Sequence, residues 1–272
     1  IAGGEFNVAI GNYSLDALTS GDYNVAVGYQ AGTDLTQGEA DTIVGNQAGQ
    51  NITTGSHNTF MGYVAGGSIT TGDSNTAVGT LALDGCDTES HNTAFGRAAL
   101  GGAIAGGEYN VAVGNYTLDS LTSADKNVAV GYLAGAGITT GGGNTLVGNE
   151  SGKVIAGGTF NTIVGFEAGT TLTSASGNTF YGSTAGNNSV DGGNNTCIGN
   201  NTDVSATDTA NAIVLGNNIS TIENRVAIGK SGGLIYADFA SSATWTHSSD
   251  ERLKDNITST DLGLEFVNEL RP

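Results

Sequence analysis

The feature that most constrains this chain is a phrase that returns every seventeen residues. NVAIG ends at Gly11, NVAVG at Gly28, DTIVG at Gly45, NTFMG at Gly62, NTAVG at Gly79 and NTAFG at Gly96. After one inserted residue NVAVG recurs at Gly114 and Gly131, and NTLVG, NTIVG, NTFYG and NTCIG carry the series to Gly199. Two looser copies, AIVLG and RVAIG, end at Gly216 and Gly229, thirteen residues apart. A fixed period of this size marks a stack of like modules, each of which buries its apolar face on its neighbours. A longer duplication lies over it: IAGGEFNVAIGNYSLDALTS at 1–20 returns as IAGGEYNVAVGNYTLDSLTS at 104–123.

Each period offers two short strands. The first is N-[VT]-x-[VI]-G, β-branched and closed by glycine. The second centres on Leu18, Leu35, Ile52, Ile69, Leu121, Ile138, Ile155 and Leu172, usually followed by threonine. Gly and Asn between them suit turns that need positive φ. With 45 glycines and one proline in 272 residues, nearly every backbone amide remains free to bond the next coil. The expected fold is all-β: a parallel β-solenoid, or β-roll, of about fourteen coils, roughly 65 Å long at the spacing of stacked strands.

Side chains alternate along a strand, yet both faces of the first strand are apolar. One carries Val8 and Ile10, Val25 and Val27, Thr42 and Val44. The other carries Ala9, Ala26, Ile43, Phe60, Leu146, Ile163 and Phe180. A strand apolar on both faces is covered on both, and one coil of two short strands covers only one. The pattern therefore predicts an obligate oligomer. In it Ala26, Ile43, Phe60 and Phe180 would be enclosed by other copies in a shared core.

The formal charge is −18. Residues 1–224 carry 19 acids and three bases, 225–272 seven acids and five bases. Such a surface repels nucleic-acid phosphates and anionic lipid. No apolar run reaches the length of a membrane span, and no secretory leader opens the sequence. Ile1 falls inside a repeat and Pro272 directly after a helical pattern, which reads as a segment of a longer protein.

The NxAIG-type strand with its closing glycine resembles the head of trimeric autotransporter adhesins, a β-roll in which three chains share a core. ANAIVLG and NRVAIG match best, because their spacing approaches that family's shorter repeat. The resemblance spans about residues 1–233 and implies a homotrimer.

The C-terminal stretch departs from the repeat. LIYADFASSATWTH at 234–247 reads either as a neck, with Tyr236, Phe239 and Trp245 interlocking near a symmetry axis, or as a cap on the solenoid. In SSDERLKDNI, Ser248 and Glu251 have the spacing of a capping box. Leu262, Leu264, Phe266, Val267 and Leu270 suggest a second short helix. Ser249 and Lys254 form a Ser–Lys pair, catalytic only where the lysine is desolvated enough to take the hydroxyl proton. SDERLKDNI followed by LGLEFVNELRP is similar to the start of the intramolecular chaperone domain of phage endosialidases and tail fibres. That resemblance implies trimer-guided folding and a single self-cleavage at Ser249–Asp250, with Ser249 and Lys254 in the catalytic roles and Asp250, Arg252, Leu253 and Ile257 also matching the motif. The domains read as a repetitive shaft or head (1–233), a neck (234–249) and the beginning of the chaperone (250–272).

Other residues read as structural. Cys86 and Cys197 replace core positions and lie too far apart to bridge. His57 and His91 sit in turns without metal-ligand spacing, so neither metal nor cofactor is expected. The Thr pairs 53–54, 70–71 and 139–140 raise ice binding, against which the ladder's interruptions argue. The expected function is a trimeric phage tail-fibre segment for host attachment, located in the virion or outside the cell, with a host-surface glycan or protein as receptor. The alternative is a bacterial trimeric surface adhesin or extracellular filament subunit. No turnover enzyme, nucleic-acid partner or membrane insertion is expected.

Overall fold

A computed structural model describes residues 3–239 and the strand at 242–247. Its strands are β1 (Val8–Ile10), β2 (Val25–Val27), β3 (Thr42–Val44), β4 (Thr59–Met61), β5 (Thr76–Val78) and β6 (Thr93–Phe95). Then come β7 (Val111–Val113), β8 (Val128–Val130), β9 (Thr145–Val147), β10 (Thr162–Val164), β11 (Thr179–Tyr181) and β12 (Thr196–Ile198). The series closes with β13 (Thr202–Val204), β14 (Ile213–Asn217), β15 (Ile219–Thr221), β16 (Arg225–Lys230), β17 (Gly233–Asp238) and β18 (Ser242–His247). Sixteen form one sheet in chain order, β13 and β15 a second. Successive strands from β1 to β12, then β14 and β16, pair in parallel with like residues aligned, as in Ala9 with Ala26 and Ile43 with Phe60. The fold is thus a parallel β-solenoid of about 13 turns at about seventeen residues each, roughly 62 Å long. No helix forms among the described residues; the expected C-terminal helices lie outside them.

Two expectations are corrected. The arm through Leu18, Leu35 and Ile52 is a chain of turns and bends, not a strand. Left-handed φ values at the second and fourth residues after the glycine, and again just before the Asn, leave too few extended residues for one: 53° at Gln30, 58° at Gly32 and 56° at Ala40. The arm still bonds coil to coil, with the Thr19 N–H donating to Thr36 O at 2.9 Å and the Thr36 N–H to Thr53 O at 2.8 Å. The second correction concerns the core. Ala26, Ile43, Phe60 and Phe180 are fully buried within the single chain. They point into the coil, against Leu35, Ile52 and Ile69 of the bent arm. No shared core is needed to enclose them.

The strand-closing glycines are obligatory. Gly28 and Gly45 both have φ of +141°, and a Cβ on Gly28 would lie 2.2 Å from the Gly45 carbonyl oxygen. One corner of each coil is held by a buried side chain. The Asn24 N–H donates to Asn7 Oδ1 at 2.8 Å, and Asn24 Nδ2 donates to Gly38 O at 2.8 Å. Asn58, Asn75 and Asn144 repeat the Nδ2 bond, to Gly72, Glu89 and Gly158 at 2.8–3.0 Å. The column ends where the Ala212 N–H donates to Asn195 Oδ1 at 2.9 Å.

The interior is filled by a rule of volumes. The fourth residue after each glycine sits between two strand centres. It is leucine where both centres are alanine: Leu15, Leu83, Leu100 and Leu118, all with φ of 50–53°. It is glycine where one centre is isoleucine, leucine or phenylalanine: a Cβ on Gly49 would meet Phe60 at 2.8 Å, and one on Gly135 would meet Leu146 at 2.7 Å. Beside Val214 the position is Asp203 or Ser220. A left-handed leucine costs about 1–2 kcal/mol, less than or comparable to the roughly 1.5–3 kcal/mol gained by burying it. Where the space is already taken there is no such gain, and glycine adopts the angle without strain.

Two single substitutions and their combination test the rule. Ala129→Leu crowds Leu118 and should destabilise by about 1–3 kcal/mol; Leu118→Gly leaves a void and should cost roughly 2 kcal/mol. Together they recreate the glycine–leucine–glycine arrangement of residues 135, 146 and 152. The double variant should therefore melt above both singles, a coupling measured by denaturant titration.

Candidate interaction surface

With the central residue of each strand turned inward, its two neighbours face outward. The outer face of the sheet carries two rows. One is Val8, Val25, Thr42, Thr59 and their successors; the other is Ile10, Val27, Val44, Met61, Val78 and Phe95, continuing through Tyr181 and Ile198. Ile10, Phe95 and Tyr181 are 55–59 % exposed and the β-branched residues between them are partly so. A contiguous apolar stripe of this length is the mark of an association surface. The exposed apolar row thus lies on the face opposite to the residues expected from the sequence to need covering.

The residues singled out in the sequence fall into place as follows. Ser249 and Lys254 lie outside the described residues. Cys86 and Cys197 are buried and unbridged; burial pushes the Cys197 thiol up to about 12 and raises that of Cys86 as well, so both are core side chains. His57 and His91 are exposed turn residues with φ of 62°, and the His91 ring stacks on Tyr109 at 4.9 Å. Among the described residues no group of His, Cys, Asp and Glu is placed to hold a metal ion, and no helix is long and apolar enough to cross a membrane. At the first Thr position of the bent arm the hydroxyls bond coil to coil, Thr36 Oγ1 donating to Thr53 O at 2.9 Å and Thr53 Oγ1 to Thr70 O at 3.0 Å, whereas Thr54, Thr71 and Thr140 at the second position are exposed.

Beyond Gly216 the turn shortens to thirteen residues and β13 pairs with β15. Asn188, Asn201, Asp203, Asn218, Ile219 and Ser220 line a polar recess there. The Asp203 carboxylate accepts the Asn188 N–H at 2.9 Å and its own neighbour's, Val204, at 2.8 Å. Burial raises its pKa against those donors, while Asn201 Nδ2 bonds Asn218 Oδ1 at 2.6 Å across the mouth. The arrangement ties the seam between long and short turns. Past it, β17 pairs antiparallel with β16 and β18 with β17. Over this pairing Arg225 lies 4.5 Å from the Tyr236 ring and 3.7 Å from Asp238. The parallel stack thus ends at β16, and the sheet continues antiparallel through β17 and β18.

These features define the class, a self-enclosed parallel β-solenoid with one apolar outer face. Compared with known proteins, the chain matches no family model, no curated protein and no solved structure.

One rung of the Asn column differs. Asp41 accepts the Asn58 N–H at 2.7 Å and donates its own N–H to Asn24 Oδ1 at 2.9 Å, but its Oδ2 is buried without a partner. That oxygen stands where an Asn would place Nδ2, facing the Gly55 carbonyl by analogy with Asn24 and Gly38. Only the protonated acid supplies a donor there. Burial, first, and the nearby Asp73 raise its pKa from 3.8 to about 7, against the opposing bonds from Asn58. Below pH about 4 the folded and unfolded chains both hold this proton. Between pH 3.8 and about 7 the unfolded chain releases it first, so this rung's contribution to stability falls as pH rises, by at most about 1.4 kcal/mol per unit. Asp41→Asn should flatten that decline and raise the melting temperature at pH 7.5, measured by thermal unfolding across pH 4–8.

Proposed function

We propose that this chain is the shaft of a trimeric extracellular fibre, a phage tail-fibre segment that carries a receptor-recognition surface and is assembled by a C-terminal intramolecular chaperone. The apolar outer face of the sheet is the observation that carries the reading. A long stripe of Val, Ile, Met and Phe along a rod calls for cover. Three rods packed with these faces toward a common axis would provide it. Each subunit then keeps its own core, and association is side by side. The three-fold number and the phage context rest on the resemblances at 1–233 and 249–272. In this reading Ser249 and Lys254 cut the Ser249–Asp250 bond once, after assembly, leaving the fibre kinetically trapped. A bacterial trimeric adhesin is a second reading, favoured by the thirteen-residue final turn between β14 and β16. Electron micrographs of virions against cell-anchored filaments separate the two.

Light scattering should give about 81 kDa, three times the 27.1 kDa chain. Val44→Lys with Val164→Lys on the outer row should reduce it to the single-chain mass while the β circular-dichroism spectrum persists. A parent protein at 27.1 kDa would overturn the assembly. In a product that continues past Pro272, mass spectrometry should find a new C-terminus at Ser249, abolished by Lys254→Ala; an intact Lys254 chain that never cleaves would remove the self-processing step.

A further inference from the structure

Just past the strand-closing glycine, one exposed row alternates Asn with an aromatic residue in two blocks of four coils. It reads Asn12, Tyr29, Asn46 and Tyr63, then, after Thr80 and Arg97, Asn115, Tyr132, Asn149 and Phe166. The four aromatics are 44–52 % exposed. Backbone geometry repeats every coil, so no demand of the fold produces an alternation with twice that period. The long duplication sharpens the point. Across it the row keeps its kind, with Asn12 and Asn115, Tyr29 and Tyr132, Asn46 and Asn149, Tyr63 and Phe166 as counterparts. Some exposed positions elsewhere have diverged, Tyr23 corresponding to Lys126, Glu39 to Gly142 and His57 to Phe160, while others such as Thr19 and Thr122 are kept. Each copy also sets a second tyrosine edge-on to the first, Tyr13 against Tyr29 at 5.9 Å and Tyr116 against Tyr132 at 6.3 Å.

We infer that this row is a pair of glycan-binding tracks for a neutral, extended, equatorially linked hexopyranose chain. Aromatic faces two coils apart stand about 9.6 Å from each other, which is close to the advance of two rings in such a chain. Every second sugar would then lay its C–H face on a ring, whose negative face attracts those hydrogens. The Asn side chain between the two rings offers both donor and acceptor to the intervening hydroxyls. A net charge of −18 disfavours polyanionic glycans and selects neutral ones. The proposal deepens the recognition role of the fibre and names its ligand class, but the track is complete on one chain.

Affinity electrophoresis of the full chain tests it, in native gels containing hydroxyethylcellulose or, as the control of different linkage, dextran. The parent protein should be retarded by the first and not by the second. Tyr29→Ser with Tyr63→Ser leaves one track and should weaken retardation about tenfold through lost bivalency. Adding Tyr132→Ser and Phe166→Ser should abolish it, while Tyr109→Ser, off the row, should change nothing. No retardation of the parent, equal retardation in dextran, or an unaffected four-site variant would each overturn the inference. Light scattering of the same samples keeps the two readings apart: a failed trimer appears in mass alone, a failed track in retardation alone.

Discussion

Each coil of this protein passes its backbone amides to the next, and at one corner the transfer runs through a buried side chain. That Asn column is the constraint on which the rest depends. A buried polar group without a partner costs about 1–3 kcal/mol. Asn24 and Asn195 each take the next coil's N–H on Oδ1 and give Nδ2 to a backbone carbonyl, and Asn178 gives its Nδ2 to Asn161 Oδ1 instead. The spacing is met only when coils stack in register, one residue over its counterpart. Asp41 shows how strict the demand is, because its Oδ2 is left buried without a partner and burial raises its pKa.

Register in turn determines what the interior can hold. The strand centres form a column that runs from alanine through isoleucine to phenylalanine and back, and from Leu15 to Gly186 the fourth residue after each closing glycine answers it with leucine or nothing. Identical backbones thus carry non-identical cores. A slip by one coil would set Leu83 beside Phe60 in place of Gly66 and would open a void where Phe60 had been. Repeats that look interchangeable at their surfaces are keyed inside, which gives a chain of near-copies one preferred stacking.

Because the interior is complete within one chain, the outer face is free for other uses. Of the sheet's two outward rows, that from Ile10 to Ile198 is apolar throughout and the other mixes Val with Thr; beside them runs the row of Asn and aromatic residues. A rod that encloses itself can present both, one for its own copies and one for a ligand.

The sequence by itself determined the solenoid, its period and the strand in each coil, because β-branched residues closed by glycine leave little else for the chain to do. It also located Cys86 and Cys197 in the core, from the repeat position each one fills. It did not determine which strand face is inside. Both faces read as apolar, and the choice depends on which way the corner turns after the glycine. The left-handed residues at Gln30 and Gly32 decide that turn, and residue type alone does not announce positive φ at Gln, Tyr or Leu. The bent arm was mistaken for a strand for the same reason. The Asn column and the leucine-or-glycine rule were present in the letters, but they relate residues 11, 14 or 17 positions apart. Only the closed coil shows that those positions touch.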